Sequence, residues 1–317
     1  MNLVGAKMDY LYALQCLREN LPDFVNYIFL FISEFFFMGG IVFATYVYWC
    51  KDKSAGTSIL VGYGTAVFVN QAVKNIACVY RPWIRDGRLH VDKIAKGSAT
   101  GYSFPSGHTV SAASVFGGIS VWQRKRRWVV ILMSIATLLV AFSRNWLGAH
   151  TMKDGVVAIM VAAVVLSIVS FIRYYLIRHP EKDTIICITM IAISLIMLLI
   201  LNIKPYPIDV GSDGLILVDP YHMKTDCFTS SGVMCGTFLG LWLERHYLQF
   251  EVSEDKIQNG LIMSIGAVFV LLVYLGFGSI FAFLGEHWCH FVKYFAIFFT
   301  IFYFYPLIFT YVRRRRI

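Results

Sequence analysis

The sequence GVVAIMVAAVVLSIVSFI at residues 155–172 indicates a membrane-spanning fold, because these eighteen consecutive residues carry no charge. A helix needs about 20 mostly apolar residues to cross the hydrocarbon core of a bilayer. With the residues on either side, this stretch predicts a membrane-spanning helix at 150–176.

Similar stretches recur along the whole chain of 317 residues. Its composition is 58% hydrophobic and only 15% charged, with a mean hydropathy of +0.64, far from the balance of a soluble globular domain. Eight further spans are predicted at 24–50, 56–80, 106–123, 127–147, 184–203, 227–248, 260–284 and 288–312. The sequence therefore predicts an all-α fold, a polytopic transmembrane helical bundle of about nine spans.

The net charge of +9 could indicate a nucleic-acid-binding surface, so the positions of the basic residues matter. The basic clusters lie at 51–53, 124–127, 173–182 and 313–316. The predicted spans place all of these clusters on one side of the membrane, which the positive-inside rule identifies as cytoplasmic. This distribution predicts no nucleic-acid partner, a cytoplasmic C-terminus and an extracytoplasmic N-terminus.

Two basic residues form a cationic face at the end of the predicted second span. Lys74 and Arg81 are seven residues apart, two helical turns, and so point the same way, while Pro82 marks the end of the helix. The pair could also be basic side chains that extend to the membrane edge. Lys74 lies deep enough in the span to need a partner, which keeps an anion-binding role open.

A second motif, GYSFPSGH at residues 101–108, lies where a loop becomes the N-terminus of the third span. Free amides of Ser106, Gly107 and His108 make a good anion site, since Gly107 has no side chain to block close approach. Ordinary helix capping with a structural His108 is the alternative.

A third motif joins the end of the fourth span to the start of the fifth. It contains Arg144, His150 and Asp154, and the last two are four residues apart, on one face of the predicted helix. A carboxylate there can hold one imidazole nitrogen and leave the other unprotonated and nucleophilic. An isolated pair of this kind could equally be a polar contact.

All three motifs lie on the same side of the membrane, because the predicted spans alternate in direction. Three cations, two histidines and one carboxylate then meet at the extracytoplasmic face. Charged residues within spans need partners or a function. The set fits a phosphate dianion.

The three motifs resemble the signatures of the type 2 phosphatidic acid phosphatase superfamily. As they stand in this chain, they are Lys74-x6-Arg81-Pro82, Pro105-Ser106-Gly107-His108 and Ser143-Arg144-x5-His150-x3-Asp154. The resemblance implies phosphate binding by five residues, Lys74, Arg81, Ser106, Gly107 and Arg144. It implies three catalytic residues, with His150 as the nucleophile, His108 as the general acid and Asp154 as the partner of His150. The soluble vanadium haloperoxidases of the same superfamily do not fit a chain with membrane spans.

The resemblance also implies catalysis through a phosphohistidine without a metal ion or another cofactor. Arginine and lysine supply the positive charge that a metal would otherwise provide. The seven cysteines show no metal-ligand spacing, and we interpret them as small buried hydrophobic residues.

The chain divides into three predicted segments. Residues 1–22 lack the uninterrupted apolar region of a signal peptide and predict an interfacial N-terminal helix. Residues 23–204 predict a six-span phosphatase core with its catalytic motifs at 74–154. Residues 205–317 predict a C-terminal extension of three spans.

Three features lie outside the motifs. Gly232, Gly236 and Gly240 recur at four-residue spacing and indicate close helix packing. Glu34, inside the first span, is interpreted as a buried hydrogen-bonding residue. The loop at 81–105 adds basic residues that could bind a second phosphate or form a solvated charge run, namely Arg85, Arg88, Lys93 and Lys96.

An active site at the membrane surface can reach a lipid headgroup, so the expected substrate is a phosphorylated lipid or a polyprenyl diphosphate. The three spans after residue 204 give a layout that resembles glucose-6-phosphatase, so a sugar phosphate is an alternative substrate. A phosphotransferase shares the first half-reaction and is an alternative as well. The intact motifs argue against a transporter, a channel or a noncatalytic lipid receptor.

The surroundings of the chain are also predicted. The terminal arginines at 313–316 suit contact with anionic membrane lipids. The stretches at 81–86 and 101–108 look like those of bacterial members of the superfamily, which predicts a bacterial-type plasma membrane. Nothing in the sequence predicts an oligomeric state.

Overall fold

The computed structural model describes residues 8–97, 99, 101–211 and 214–314. Residues 1–7 of the predicted N-terminal helix and Arg315 and Arg316 of the predicted basic tail lie outside the described residues. Apart from one isolated bridge between Val210 and Ile216, the regular structure of the described residues is helical. The predicted all-α fold is confirmed.

The α-helices are numbered in chain order. They are α1 (Asp9–Asn20), α2 (Asp23–Cys50), α3 (Lys53–Ala77), α4 (Pro82–Arg85), α5 (Lys93–Gly97), α6 (Gly107–Trp122), α7 (Arg127–Trp146), α8 (Met152–Arg178), α9 (Asp183–Ile203), α10 (Pro220–Leu243), α11 (Lys256–Ile280), α12 (Glu286–Phe299) and α13 (Tyr305–Arg314). Two π-helical turns extend α10 and link α12 to α13, at Glu244–Leu248 and Thr300–Phe304.

Six helical segments among the described residues are long and apolar enough to cross a membrane. They are Asp23–Cys50, Arg127–Trp146, Met152–Arg178, Pro180–Ile203, Lys256–Ile280 and Glu286–Arg314. The chain is therefore an integral membrane protein. The other three predicted spans are helical as well, in α3, α6 and α10, but α6 has only 16 residues and α3 contains buried polar side chains such as Asn75. The count of nine spans stays a prediction.

The described residues form two compact units. The first contains the described residues of Met1–Gly40, Val69–Val164 and Lys204–Met223, and the second contains those of Ile41–Phe68, Val165–Ile203 and Lys224–Ile317. The predicted segments 1–22, 23–204 and 205–317 stay a prediction.

Helix α1 packs onto the first unit through one face. Met8 and Leu11 form an apolar cluster with Leu89. The buried Arg18 donates from Nη1 to the carbonyl of Trp146 at 3.0 Å and from Nη2 to the carbonyl of His90 at 2.5 Å. The bond to Trp146 satisfies a carbonyl at the end of α7, where a helix leaves its last acceptors unpaired.

The loop that begins at Lys204 also belongs to the first unit. Lys204 Nζ donates to the backbone carbonyl of Asn75 at 2.8 Å, and the Tyr206 hydroxyl donates to the Asn75 side chain at 2.9 Å. Tyr206 and Met223 are buried against Tyr102. The two polar loops, at 81–105 and after 204, therefore contact each other.

In the second unit, α10 approaches α12 closely. A Cβ atom at Gly232 would lie 2.3 Å from the carbonyl oxygen of Phe291, and one at Gly236 would lie 2.4 Å from that of Phe295. Real Cβ atoms do not come so near, so only glycine fits at these positions. The predicted close packing of this helix face is confirmed.

Candidate active site

His150 lies in a turn between two helices. Helix α7 ends at Trp146 and α8 begins at Met152. Gly148 reverses the chain with a φ of +72°, which favours glycine. A Cβ atom there would also lie 3.0 Å from the His90 carbonyl oxygen. The turn leaves His150 only 2% exposed.

Asp154 connects His150 with Ser103 and Thr151. Its Oδ2 accepts from the Thr151 amide at 2.8 Å and from the Ser103 hydroxyl at 2.5 Å, and it lies 3.5 Å from His150 Nδ1. The Asp154 amide in turn donates to Thr151 Oγ1 at 3.4 Å, which makes a reciprocal capping box. The prediction that His150 and Asp154 share one helical face was wrong in detail, because His150 precedes α8 and the capping box brings the two together.

Arg81 fixes the other side of the imidazole. Its Nε donates to the Gly101 carbonyl at 2.7 Å, and its Nη1 donates to the Ala149 carbonyl at 3.0 Å and lies 2.9 Å from His150 Nε2. A guanidinium can only donate, so Nε2 accepts and the hydrogen of a neutral imidazole lies on Nδ1, toward Asp154. Burial, together with the charge of Arg81, lowers the pKa of His150. Both effects favour a neutral ring with its lone pair on Nε2.

Helix α6 begins at the second motif. Ser106 is its N-cap and accepts from the Thr109 amide at 3.4 Å. The Ser106 amide donates to the Asp154 carbonyl at 3.1 Å. The expectation that this amide is free for an anion was wrong, because it ties the motif to α8. A Cβ atom at Gly107 would lie 3.9 Å from Lys74 Nζ, so the lysine ammonium lies beside the start of the helix.

Arg144 is fully buried, at 0% exposure. Its Nη1 donates to the Ser33 hydroxyl at 3.1 Å and lies 3.8 Å from Glu34 Oε1. No hydrogen-bond partner for its Nε and Nη2 exists among the described residues. A buried guanidinium with two unmatched donors is costly, and an anion would satisfy it.

His108 is held by helix α2. Its Nε2 lies 3.1 Å from Glu34 Oε1, and its ring lies 4.9 Å from the ring of Phe37. A carboxylate can only accept, so Nε2 carries the hydrogen of this contact. The expectation that Glu34 forms a hydrogen bond is met, but the expectation that it is buried was wrong, because its side chain is 42% exposed. It contacts two of the predicted site residues, as a hydrogen-bond partner of His108 and an ion-pair partner of Arg144.

All of the predicted site residues lie in the first unit, and contacts connect six of the eight in two groups. One group joins Arg81, His150, Asp154 and Ser106, and the other joins His108 and Arg144 through Glu34. The charge of Arg144 acts on both histidines, which links the groups.

Sequence reasoning missed the supporting residues Ser33, Ser103 and Thr151. Thr151 had a detectable signal, since Thr-x-x-Asp before an apolar run is a capping-box pattern.

Arg88, one of the four basic residues that the 81–105 loop adds to the motifs, takes part in a charge network. Arg88 Nη2 lies 2.7 Å from Asp86 Oδ2 and 3.2 Å from Asp9 Oδ1. Of the two interpretations of this loop, the contacts of Arg88 favour a solvated charge network. Such exposed pairs contribute little stability.

Comparisons with known proteins give the same family for both parts of the chain. Residues 55–204 match the PAP2 superfamily, and residues 228–315 match the transmembrane extension of PAP2 superfamily phosphatases.

Two curated relatives are similar over shorter stretches. An undecaprenyl-diphosphatase of Sulfolobus acidocaldarius is 23% identical over 104 residues, which are 33% of this chain and 48% of the relative. A phosphatidylglycerophosphatase B of Bacillus subtilis is 28% identical over 107 residues, which are 31% of this chain and 48% of the relative. The chain thus spans about half the length of the curated relatives it matches.

No solved structure matches the chain. The two family matches follow one another along the sequence, the first includes all three motifs, and the second covers the helices after the core. The protein belongs to the PAP2 superfamily, the type 2 phosphatidic acid phosphatases that its motifs resemble.

Proposed function

We propose that the protein is an integral membrane phosphatase that hydrolyses a lipid phosphate or a polyprenyl diphosphate through a phosphohistidine on His150. The observation that carries this proposal is Arg144, which is wholly buried and keeps two guanidinium nitrogens without partners among the described residues. A phosphate dianion supplies the missing acceptors. The names of the two curated relatives support the substrate class.

In the first step, the lone pair on His150 Nε2 attacks phosphorus, and the bond from phosphorus to the leaving oxygen breaks. Arg81 contacts Nε2 in the free protein, so it transfers its donors to the phosphate oxygens when substrate enters. Lys74, Arg144 and the amides at the start of α6 stabilise the charge on those oxygens. His108, protonated as an imidazolium at this point, gives a proton to the leaving oxygen and becomes neutral.

In the second step, water hydrolyses the phosphohistidine. His108 now accepts a proton from the water, and the bond from phosphorus to Nε2 breaks, which restores His150. Asp154 stabilises the positive charge that develops on the imidazole in both steps. The reaction needs no divalent cation, because the three basic side chains carry the positive charge.

The proposal is tested by phosphate release from purified protein, with undecaprenyl diphosphate and phosphatidylglycerol phosphate as substrates. We expect activity to persist in EDTA, to follow a bell-shaped pH profile and to be inhibited competitively by vanadate. His150→Ala should abolish the acid-labile phosphoenzyme. Normal turnover by His150→Ala, or activity that vanishes on chelation and returns only with magnesium, would contradict the mechanism.

A further inference from the structure

We propose that Glu34 binds the leaving group and selects a phosphomonoester whose departing alcohol carries a hydroxyl group, in preference to a diphosphate. The inference rests on the proposed function, and it narrows the substrate class of the same site. In the proposed steps Glu34 neither bonds to phosphorus nor transfers a proton, and its contacts with His108 and Arg144 point to a further role.

Glu34 is the most exposed member of the group that it forms with His108 and Arg144. Its side chain is 42% exposed, whereas that of His108 is 14% exposed and that of Arg144 is 0% exposed. Of these three side chains, only the carboxylate is widely accessible. The carboxylate is therefore accessible to a group bound beside His108 and Arg144.

The guanidinium of Arg144 separates the phosphate from Glu34. Its Nη1 faces Ser33 and Glu34, while its Nε and Nη2 have no partners among the described residues. Phosphate oxygens bind where donors are unmatched, on the Nε and Nη2 edge. Glu34 therefore lies next to the phosphate position and does not occupy it.

The leaving group lies on the side of His108. As the lone pair of His150 Nε2 forms the new bond to phosphorus, the electron pair of the breaking bond goes to the ester oxygen. That oxygen takes the proton of His108 Nε2, the nitrogen that donates to Glu34 before substrate enters. The atoms attached to that oxygen are then close to the carboxylate that holds His108 at 3.1 Å.

The charge of Glu34 decides which leaving groups fit. The leaving group of a diphosphate is itself a phosphate, and its negative charge is repelled by a carboxylate nearby. An alcohol with a hydroxyl on the carbon next to the ester carbon can instead donate a hydrogen bond to Glu34. Glycerol phosphates have this hydroxyl, whereas polyprenyl diphosphates do not.

The experiment measures kcat/KM for three substrates in the same detergent. They are phosphatidylglycerol phosphate, its analogue built on 1,3-propanediol, which lacks the neighbouring hydroxyl, and farnesyl diphosphate. Purified wild type is compared with Glu34→Gln. Asp23→Asn is the matched control, because it removes a negative charge at the exposed start of the same helix.

We expect wild type and Asp23→Asn to prefer the hydroxyl-bearing substrate over its analogue by about 10- to 100-fold, the range for a hydrogen bond to a charged acceptor. Glu34→Gln should lower this preference by about tenfold, since a neutral acceptor binds more weakly. The same variant should have a higher ratio of kcat/KM for farnesyl diphosphate to kcat/KM for phosphatidylglycerol phosphate than wild type has. Because each comparison is a ratio within one preparation, loss of folded protein cancels.

The decisive quantity is the ratio of kcat/KM for phosphatidylglycerol phosphate to that for its 1,3-propanediol analogue. A wild-type ratio near one overturns the inference while the proposed phosphatase function stands, and so does a ratio that Glu34→Gln leaves unchanged. A wild type that prefers farnesyl diphosphate overturns it as well. If wild type releases phosphate from none of the three substrates, the proposed function itself fails. If Glu34→Gln does not fold, the wild-type ratio for the hydroxyl-bearing substrate and its analogue still tests the inference.

Discussion

At the residue scale, the site depends on one carboxylate that holds several groups at once. Asp154 accepts from Ser103 and Thr151 and faces His150 Nδ1. In Asp154→Asn, an amide replaces the acceptor, so the imidazole loses both its orientation and the charge that stabilises its cationic form. We expect phosphoenzyme formation to slow by about 10²- to 10⁴-fold, measured by quench flow in a single turnover.

Ser103→Ala is the control for this prediction, because it removes one donor to Asp154 and leaves the carboxylate. Its effect should be about tenfold or less, the size of a lost hydrogen bond. A rate for Asp154→Asn within about threefold of wild type would show that Asp154 acts only as a helix cap, since capping affects stability by about 1 kcal/mol and not the chemistry.

The predicted site residues differ from the missed ones in what places them in the site. The motif residues are recognisable because their spacing predicts that they lie at helix ends, and the predicted alternation of spans would bring these ends to one face. Ser103 and Glu34 reach the site through tertiary contacts, across 51 residues to Asp154 and 74 residues to His108. No local pattern encodes such contacts, so the predicted role of Glu34 stopped at a hydrogen bond.

Among the helices, the pattern of apolar residues predicted the positions more accurately than the ends. The span predicted at 56–80 is helix α3, Lys53–Ala77. It stops early because Cys78 takes a left-handed conformation, with φ +47°, and the Val79 carbonyl accepts from the Ser103 amide at 2.7 Å. A helix end that is set by a bond to a distant segment cannot be found from hydropathy.

The contact between α10 and α12 gives a prediction about stability. In Gly236→Ala, the new methyl group would lie 2.4 Å from the Phe295 carbonyl oxygen, so the helices have to separate. We expect a loss of about 1–3 kcal/mol, the usual cost of overpacking, measured by thermal unfolding in detergent.

Gly276→Ala is the matched control on α11, because nothing lies within 4 Å of its Cβ position. Alanine there should be neutral or should stabilise by about 0.5–1 kcal/mol through its better helix propensity. Equal unfolding temperatures for the two variants would mean that α10 does not pack on α12 at this distance in the membrane protein.

At the scale of the whole molecule, the distribution of charge predicts how the chain crosses the membrane. The first-unit loop at 81–105 is separated from the basic stretch at 124–127 by α6, a helix of 16 residues. Such a helix is about 24 Å long, which is short of the usual hydrocarbon thickness of about 30 Å. The orientation proposed here, with the active site extracytoplasmic, therefore depends on α6 crossing the membrane with its ends near the headgroups.

Cysteine labelling tests this orientation. Gly87→Cys places a thiol at an exposed position where nothing lies within 4 Å, and Lys125→Cys places one at an exposed position after α6. In intact bacterial cells, an impermeant maleimide should label Gly87→Cys, while Lys125→Cys should react only after permeabilisation. Wild type is the blank, because most of its cysteines are buried. Labelling of both thiols in intact cells would mean that α6 does not cross the membrane, and the reverse pattern would place His150 and its substrate on the cytoplasmic side.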